Sequence, residues 1–159
     1  MTSPIQQNLP ATPRRVFVVG GTGTIGQATV RALVRRGHDV VCLVRPHAGV
    51  RGALSGDDST RLLAGATVRL GDVGDPASLA RDGFRGERFD ALVSCLASRT
   101  GAPADAWAID HRAHVHVLEA AQTAGVSQVV LLSAICVQKP LLAFQHAKLA
   151  FEQVLIASG

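Results

Sequence analysis

A run of glycines follows a short apolar stretch near the start of the chain. Four apolar residues, 16–19, lead into seven residues that we assign to cofactor binding, namely Gly20, Gly21, Thr22, Gly23, Thr24, Ile25 and Gly26. An amphipathic segment follows at 27–36, which gives the order buried strand, tight turn, helix. In this pattern one glycine forms the turn, a second lets a pyrophosphate approach the backbone, and a third allows close helix–strand packing. The pattern therefore predicts a dinucleotide site at a helix N-terminus, with a plain structural turn as the alternative.

Two charged residues end the next two apolar stretches. Arg45 stands where an acid would bind the ribose 2′-hydroxyl of NAD, and an arginine there can pair with the 2′-phosphate of NADP. This position favours NADPH as the cofactor, and a solvated arginine is the alternative. Asp72, with Val73 beside it, ends the third stretch at the edge where an adenine would lie. An aspartate that only stabilises the turn before Gly74 is the alternative.

Alternating strands and helices must position these residues. Strands are predicted at 16–19, 39–44, 67–70, 89–96 and 128–133, and helices at 24–36, 57–63, 76–81, 104–124 and 141–157. The alternation predicts an α/β fold, a doubly wound parallel sheet of the Rossmann type in the order 3-2-1-4-5. Residues 1–13 are expected to form a flexible arm and 14–159 the NAD(P)-binding domain. We expect the chain to be truncated after strand five and its helix, with the C-terminal substrate-binding part absent.

Composition argues against several other classes of protein. The net charge of +4 comes from basic residues spread along the chain, which disfavours a nucleic-acid surface. The longest apolar runs have the length of strands, so no transmembrane segment is predicted. Three cysteines, Cys42, Cys95 and Cys136, lie far apart in apolar runs, and we expect them to be small buried residues of a cytoplasmic protein.

The histidines offer a weak case for a metal. His111 and His114 have metal-compatible spacing, but His116 lies on another face and no third ligand is evident. We therefore predict no metal site and expect solvated or rim histidines. His146 lies nearer the expected active face and is a weaker candidate for an acid.

The fold and the glycine spacing resemble the short-chain dehydrogenase/reductase superfamily. Its members place a serine at the end of strand five and a Tyr-x-x-x-Lys pair on one face of the next helix. Ser133 and Lys148 match, but Phe144 stands at the tyrosine position and the chain has no tyrosine. The resemblance implies that Ser133 and Lys148 contact the cofactor and that Lys148 is the catalytic candidate; a solvated helix lysine is the alternative. Carbonyl reduction through the usual triad is excluded because the phenolic proton donor is missing.

Two stretches are similar to the NADPH-dependent divinyl chlorophyllide a 8-vinyl reductases, an atypical NmrA-like group. They are residues 94–101 and 131–152, within a resemblance that covers nearly all of the chain after Arg14. It implies reduction of the 8-vinyl group of divinyl (proto)chlorophyllide a, a small-molecule tetrapyrrole, to ethyl in chlorophyll or bacteriochlorophyll biosynthesis. A vinyl group has no carbonyl oxygen that needs a phenol, which is consistent with Phe144.

Two other functions remain compatible with the sequence. A non-catalytic NmrA-like regulator that senses NADP would keep the fold and lose the tyrosine. A sugar-nucleotide epimerase would suit the glycines but not Phe144. Because the family's chains continue well past this point, we expect the 159 residues to be inactive on their own.

Overall fold

A five-stranded parallel sheet forms the centre of the computed structural model, which describes residues 12–48 and 54–159. The strands are β1 (Arg15–Val19), β2 (Asp39–Val44), β3 (Thr67–Leu70), β4 (Ala91–Ser94) and β5 (Gln128–Leu131). Their order is β3-β2-β1-β4-β5, and every neighbouring pair is parallel. The predicted fold class and sheet order are therefore confirmed. Most of the predicted N-terminal arm lies outside the described residues.

Strands β4 and β5 are shorter than the sequence predicts. Beyond the ladders, one hydrogen bond joins the N–H of Cys95 to the carbonyl of Val19, and another joins the N–H of Leu132 to the carbonyl of Ser94. The chain then leaves the sheet on both strands. Apolar composition continues past these points, so it does not mark the strand ends.

Both faces of the sheet carry apolar cores, because every crossover in a parallel sheet places a helix on one face or the other. The four residues 16–19 of β1 are therefore all buried, and Phe17 and Val18 each have no exposed surface. On one face Phe17 stacks on Phe84 with ring centroids 3.9 Å apart, and Phe89 meets it edge-on at 5.2 Å. This burial on both sides explains why the strands read as continuous apolar runs.

The first three helices lie close to their predicted positions. They are α1 (Thr24–Arg35), α2 (Gly56–Leu62) and α3 (Pro76–Ser78), and the last continues as a π-helical segment to Phe84. Gly37 follows α1 with φ of +80°, as predicted for a residue that closes a helix. The π-helical extension makes the third helix longer than the predicted 76–81.

The helix predicted at 104–124 has three parts. Helix α4 (Pro103–Ala106) passes into a π-helical segment (Trp107–Ala113) and then into α5 (His114–Thr123). Two polar residues, Asp110 and His114, point into the core from this region, with 1% and 2% of their surface exposed. Wider π turns frequently occur at functional sites. The final helix is α6 (Ala143–Ala157), two residues shorter than predicted at its start.

Only one of the three cysteines is fully buried. Cys42 lies inside the sheet, and burial raises the pKa of its thiol to about 12. Cys95 is half-buried and Cys136 is exposed, so the prediction of three buried cysteines is wrong. Cys136 is exposed because β5 has already ended at Leu131, leaving it in a turn with φ of +64°. No helix within the described ranges is long and apolar enough to cross a membrane.

Candidate functional site

Two glycines of the opening turn are required by the fold itself. Gly20 has φ of +75°, and a Cβ atom there would lie 2.4 Å from the carbonyl carbon of Cys95. A Cβ on Gly26 would lie only 2.1 Å from the carbonyl oxygen of Gly20. Both contacts are with backbone, which cannot move without disturbing the sheet. Gly20 therefore brings the ends of β1 and β4 together, and Gly26 brings α1 against the turn.

Two further glycines are not required by the fold. Gly23 has a negative φ of −73°, and a Cβ there would be 3.6 Å from its nearest atom. Gly21 would also make only ordinary contacts, the nearest at 3.5 Å. A side chain at Gly21 would face Val30 and Cys42 in the core, whereas the absence of a side chain at the exposed Gly23 leaves the turn open to a bound molecule. This is the geometry expected where a pyrophosphate approaches the backbone.

The N-terminus of α1 has no capping side chain and no acidic residue in its first turn. By contrast, the side chain of Ser55 caps α2 and that of Asp75 caps α3. Ile25 in the first turn is 56% exposed. The turn residues Thr22 and Thr24 lie at the same edge, and the Thr22 carbonyl accepts from the Gln27 side chain at 2.9 Å. The free N–H groups and the helix dipole together suit a phosphate group.

Arg45 lies at the edge of the sheet where the turn also lies. It follows the last residue of β2 directly and its side chain is exposed. On α4, Asp105 accepts hydrogen bonds from the N–H groups of Arg99 and Thr100. The Thr100 N–H holds the pKa of Asp105 below its usual range, and the charge of Arg45 acts in the same direction. Arg45 therefore lies exposed at the carboxyl end of β2, the strand beside β1, which leads into the turn.

Asp72 stabilises a turn, which is the alternative that the sequence left open. One of its carboxylate oxygens accepts from the N–H of Gly74 at 2.8 Å. The neighbouring Val73 is buried in the apolar core beside the sheet. Because the Val73 side chain is buried, only its backbone is available to a cofactor. Asp72 is exposed, and its contact with an adenine stays a prediction.

A crevice of about 310 Å³ lies between the segments that follow β4 and β5. It brings together three of the residues matched by the superfamily resemblance, Ser133, Phe144 and Lys148. The Ser133 hydroxyl donates to the carboxylate of Glu152 on α6. The remaining lining residues are Leu96, Ala97, Ser98, Arg99, Thr100, Gly101, Asp110, Leu132 and Ala134.

Lys148 is buried below this crevice, with 2% of its surface exposed. Its Nζ donates to the carbonyl oxygen of Leu96 at 2.8 Å and lies 3.0 Å from Oδ1 of Asp110. The solvated helix lysine that the sequence left as an alternative is therefore wrong. The side chain is buried because α6 packs on the π-helical segment that carries Asp110.

Sequence reasoning missed Asp110, although a signal was present. Positions 106, 110, 113, 117 and 121 form one helical stripe, and Asp110 is its only charged member among alanines and a valine. A charge on a buried stripe is rare unless it has a partner. Here Asp110 pairs with Lys148 and also accepts from the N–H of Ser98 at 3.3 Å.

His114 is buried, so the expectation of a solvated or rim histidine is wrong for this residue. Its Nδ1 lies 2.8 Å from the carbonyl oxygen of Ile109, and its Nε2 lies 2.8 Å from the Ser94 hydroxyl. Because a carbonyl only accepts, Nδ1 carries the hydrogen and Nε2 accepts from Ser94. Burial, with the nearby charge of Lys148, lowers the pKa of His114 to about 4. The other candidates remain nearer the surface, with His111 and His116 half-buried and His146 exposed.

This buried histidine predicts a loss of stability in mild acid. Its pKa is about 4 when folded and 6.5 as an ordinary histidine, so the unfolded chain binds the proton first as the pH falls. The stabilisation is complete above pH 6.5 and is lost towards pH 4, by about 3 kcal/mol in total. Urea unfolding across this range should show a steeper fall for the natural chain than for His114→Gln. Equal slopes for the two proteins would contradict the assignment.

Comparison with known proteins agrees with this geometry. A family model described as NAD(P)H-binding matches residues 20–159, from the first glycine of the turn through the whole of α6. The chain belongs to the NAD(P)H-binding family. The predicted nicotinamide cofactor class is therefore confirmed, while the choice between NADPH and NADH needs a separate argument.

Proteins similar in sequence to this NAD(P)H-binding chain include divinyl chlorophyllide a 8-vinyl-reductases. Divinyl chlorophyllide a 8-vinyl-reductase of Zea mays is 50% identical over 151 residues, which cover 95% of this chain and 38% of that protein. The Arabidopsis thaliana protein of the same name is 42% identical over 159 residues, covering 98% of this chain and 37% of its own length. The predicted resemblance is confirmed, and the chain spans well under half the length of these relatives.

Other similar proteins have different names. Photosystem II assembly factor Ycf39 of Synechocystis is 32% identical over 124 residues, covering 75% of this chain and 33% of that protein. Among solved structures, the Bordetella bronchiseptica enzyme WbmG in complex with NAD and UDP superposes with a TM-score of 0.75 at 22% identity. The superposition covers 92% of this chain and 50% of that one. At that identity the likeness shows the shared fold alone.

Proposed function

We propose that this chain is the cofactor-binding part of an NADPH-dependent divinyl chlorophyllide a 8-vinyl reductase. Such an enzyme reduces the 8-vinyl group of divinyl (proto)chlorophyllide a to ethyl in chlorophyll or bacteriochlorophyll biosynthesis. The observation that carries the proposal is the 50% identity to the maize reductase over 151 residues. The turn at residues 20–26 supports it because its backbone at Gly23 is open to a pyrophosphate. The crevice supports it because Lys148 lines it.

Each part of the proposed site has a distinct role. Gly23 and the free N–H groups of α1 hold the pyrophosphate, and Arg45 pairs with the 2′-phosphate that distinguishes NADPH. Lys148 donates to the nicotinamide ribose at the base of the crevice. Bound NADPH supplies the hydride that the vinyl group accepts.

Phe144 shapes what this site reduces. It lies in the crevice where the superfamily resemblance expects a tyrosine, and its ring has no proton to give. A carbonyl oxygen would gain no phenolic donor here, whereas a conjugated carbon–carbon double bond does not need one. The proton that follows the hydride then comes from another acid or from water. The cytoplasmic location that the sequence suggests stays a prediction, and the relatives in maize and Arabidopsis are named as chloroplastic.

A non-catalytic role is the second candidate, and Phe144 is the observation that favours it. A chain that binds NADP without a proton donor can act as a sensor whose nucleotide changes its affinity for a protein partner. The named assembly factor of Synechocystis has a similar sequence. Turnover of a vinyl substrate separates the two functions, since only the reductase consumes NADPH.

The cofactor part of the proposal can be tested on the chain itself. Titration with NADPH and NADH, followed by nucleotide fluorescence, should show tighter NADPH binding. Arg45→Ala should weaken NADPH by about tenfold to a hundredfold, the size of a charge-assisted contact, and leave NADH unchanged. Arg31→Ala removes an exposed arginine on α1 and is the matched control. Equal losses for both nucleotides would contradict the role of Arg45.

The substrate part requires the remainder of a reductase. The chain should be joined to the segment of the maize relative that follows the matched region, and then given divinyl chlorophyllide a and NADPH. Conversion to the monovinyl product, detected by chromatography and absorption, is the expected result. Binding of NADPH without conversion would instead favour the sensor.

A further inference from the structure

The ion pair between Lys148 and Asp110 is the most deeply buried one in the described part of the chain. Both residues have 2% or less of their surface exposed, while every other pair there has at least one partner with substantial solvent contact. Burying two charges is unfavourable unless further hydrogen bonds satisfy them. Here the carbonyl of Leu96 satisfies the ammonium, and the N–H of Ser98 satisfies the carboxylate.

We infer that Asp110 is a positioning residue for Lys148, holding its ammonium at the base of the crevice with one N–H left to donate. This inference rests on the proposed function, because Lys148 is placed there in contact with the cofactor. An ammonium has three N–H donors. Two of them are used by Leu96 and Asp110, and both lysine and aspartate line the crevice. The remaining donor is the one available to a bound molecule.

Asp110 also connects the lysine to residues 96–101, the lining segment of the crevice that follows β4. The same carboxylate that pairs with Lys148 accepts from the N–H of Ser98, and Ser98 lines the crevice. The carboxylate of Asp110, on the π-helical part of the chain, therefore fixes the positions of both the Lys148 ammonium and the Ser98 backbone. An amide at position 110 would keep the hydrogen bond to Ser98 but would remove the charge that offsets Lys148.

Other charges around the lysine do not replace Asp110. His114 on α5 is neutral at pH 7, because burial lowers its pKa to about 4. Glu152 lies one helical turn further along α6, but its carboxylate accepts from the Ser133 hydroxyl. Asp105 anchors the same lining segment through Arg99 and Thr100, and none of its hydrogen bonds involves Lys148. Asp110 is thus the carboxylate that balances the buried ammonium.

The chain is well suited to a direct test because it has only two lysines, Lys148 and the exposed Lys139. Brief labelling of the full chain with a small acylating reagent at pH 8, followed by peptide mass spectrometry, gives the ratio of Lys148 to Lys139 modification. The free amine is the form that reacts, and a buried lysine without a counter-charge loses its proton more readily. Asp110→Asn should therefore raise the ratio by about tenfold, and Asp110→Glu should restore a low value.

Asp105→Asn is the matched control, since it weakens the anchoring of the lining segment and leaves the contacts of Lys148 unchanged. Its labelling ratio should match that of the natural chain. A raised ratio in Asp105→Asn, or an unchanged ratio in Asp110→Asn, would overturn the inference, because Asp110 would then act only as a loop anchor. NADPH affinity provides the second readout, with a loss of about tenfold expected for Asp110→Asn and little change for Asp105→Asn.

If Asp110→Asn fails to fold, the pairing of Lys148 can be tested by NMR on the natural chain. With ¹⁵N-labelled lysine, its NMR spectrum should contain one slowly exchanging ammonium resonance, from Lys148, and a rapidly exchanging Lys139. Absence of the slow resonance from the folded chain would overturn the inference. The two proposals can fail separately: if NADPH does not bind, the cofactor role is lost, while the labelling ratio still reports on the pairing of Lys148 with Asp110.

Discussion

Replacing Gly26 with alanine is expected to destabilise the folded chain by about 3 kcal/mol or more and to abolish NADPH binding. The added Cβ would lie 2.1 Å from the carbonyl oxygen of Gly20 and 2.9 Å from the Cα of Gly21. Neither atom belongs to a flexible side chain, so α1 must move away from the turn. That movement separates the helix N-terminus from the backbone that would hold the pyrophosphate.

Gly23→Ala is the matched control because it separates stability from binding. Its Cβ would meet nothing closer than 3.6 Å, and its φ of −73° suits any residue. We therefore expect unfolding in urea within about 0.5 kcal/mol of the natural chain, together with clearly weaker NADPH binding. Gly26→Ala should lose both properties.

The comparison has a clear contrary outcome. If Gly23→Ala binds NADPH as tightly as the natural chain, the turn does not closely approach the pyrophosphate. A glycine would then not be required at position 23. Equal stability of Gly26→Ala and the natural chain would show that α1 does not pack on Gly20 in solution.

Replacing Lys148 with methionine is expected to destabilise the chain by about 3–5 kcal/mol, because it leaves the carboxylate of Asp110 buried without a counter-charge. Methionine keeps the length and apolar body of the side chain, so little packing is lost. The same variant should lose NADPH affinity, since the donor at the base of the crevice is gone. Urea unfolding and nucleotide titration measure the two effects on one preparation.

A second substitution tests the cause of that loss. In Lys148→Met/Asp110→Asn the buried charge is removed while the amide still accepts from the N–H of Ser98, so stability should be largely recovered. NADPH affinity should remain low in the double variant. Lys139→Met, at an exposed position, is the control and should change stability by less than about 0.5 kcal/mol. A double variant no more stable than Lys148→Met would show that the buried charge is not the cause.

Much of the fold follows from local sequence. Apolar runs separated by helical patterns identify a parallel sheet with helices on both faces, and the right-handed crossover rule then leaves little choice of strand order. The glycine run identifies the turn in the same way, because a backbone φ of +75°, as at Gly20, favours glycine over residues with a side chain. These features depend on residues close together in the chain, and the sequence by itself determined them.

The site around Lys148 depends on residues that are distant in the chain. Leu96 and Lys148 are 52 positions apart, and their contact exists only when α6 packs beside the segment after β4. That packing decides whether the lysine is solvated or buried. The four-residue spacing between Phe144 and Lys148 does not, because it would be the same in both cases. The tertiary structure therefore decided that Lys148 is buried and paired.

The same reasoning applies to His114, Asp72 and Cys136. A histidine on a helix can face solvent or the core, and the π-helical segment before α5 turns His114 inward beside Ser94. One carboxylate oxygen of Asp72 accepts from the N–H of Gly74, and Cys136 is exposed because β5 ends before it. Sequence determined the sheet, the turn and the family, because these depend on period and on backbone sterics. Tertiary structure decided burial, charge pairing and donor geometry, because each depends on which distant segments meet.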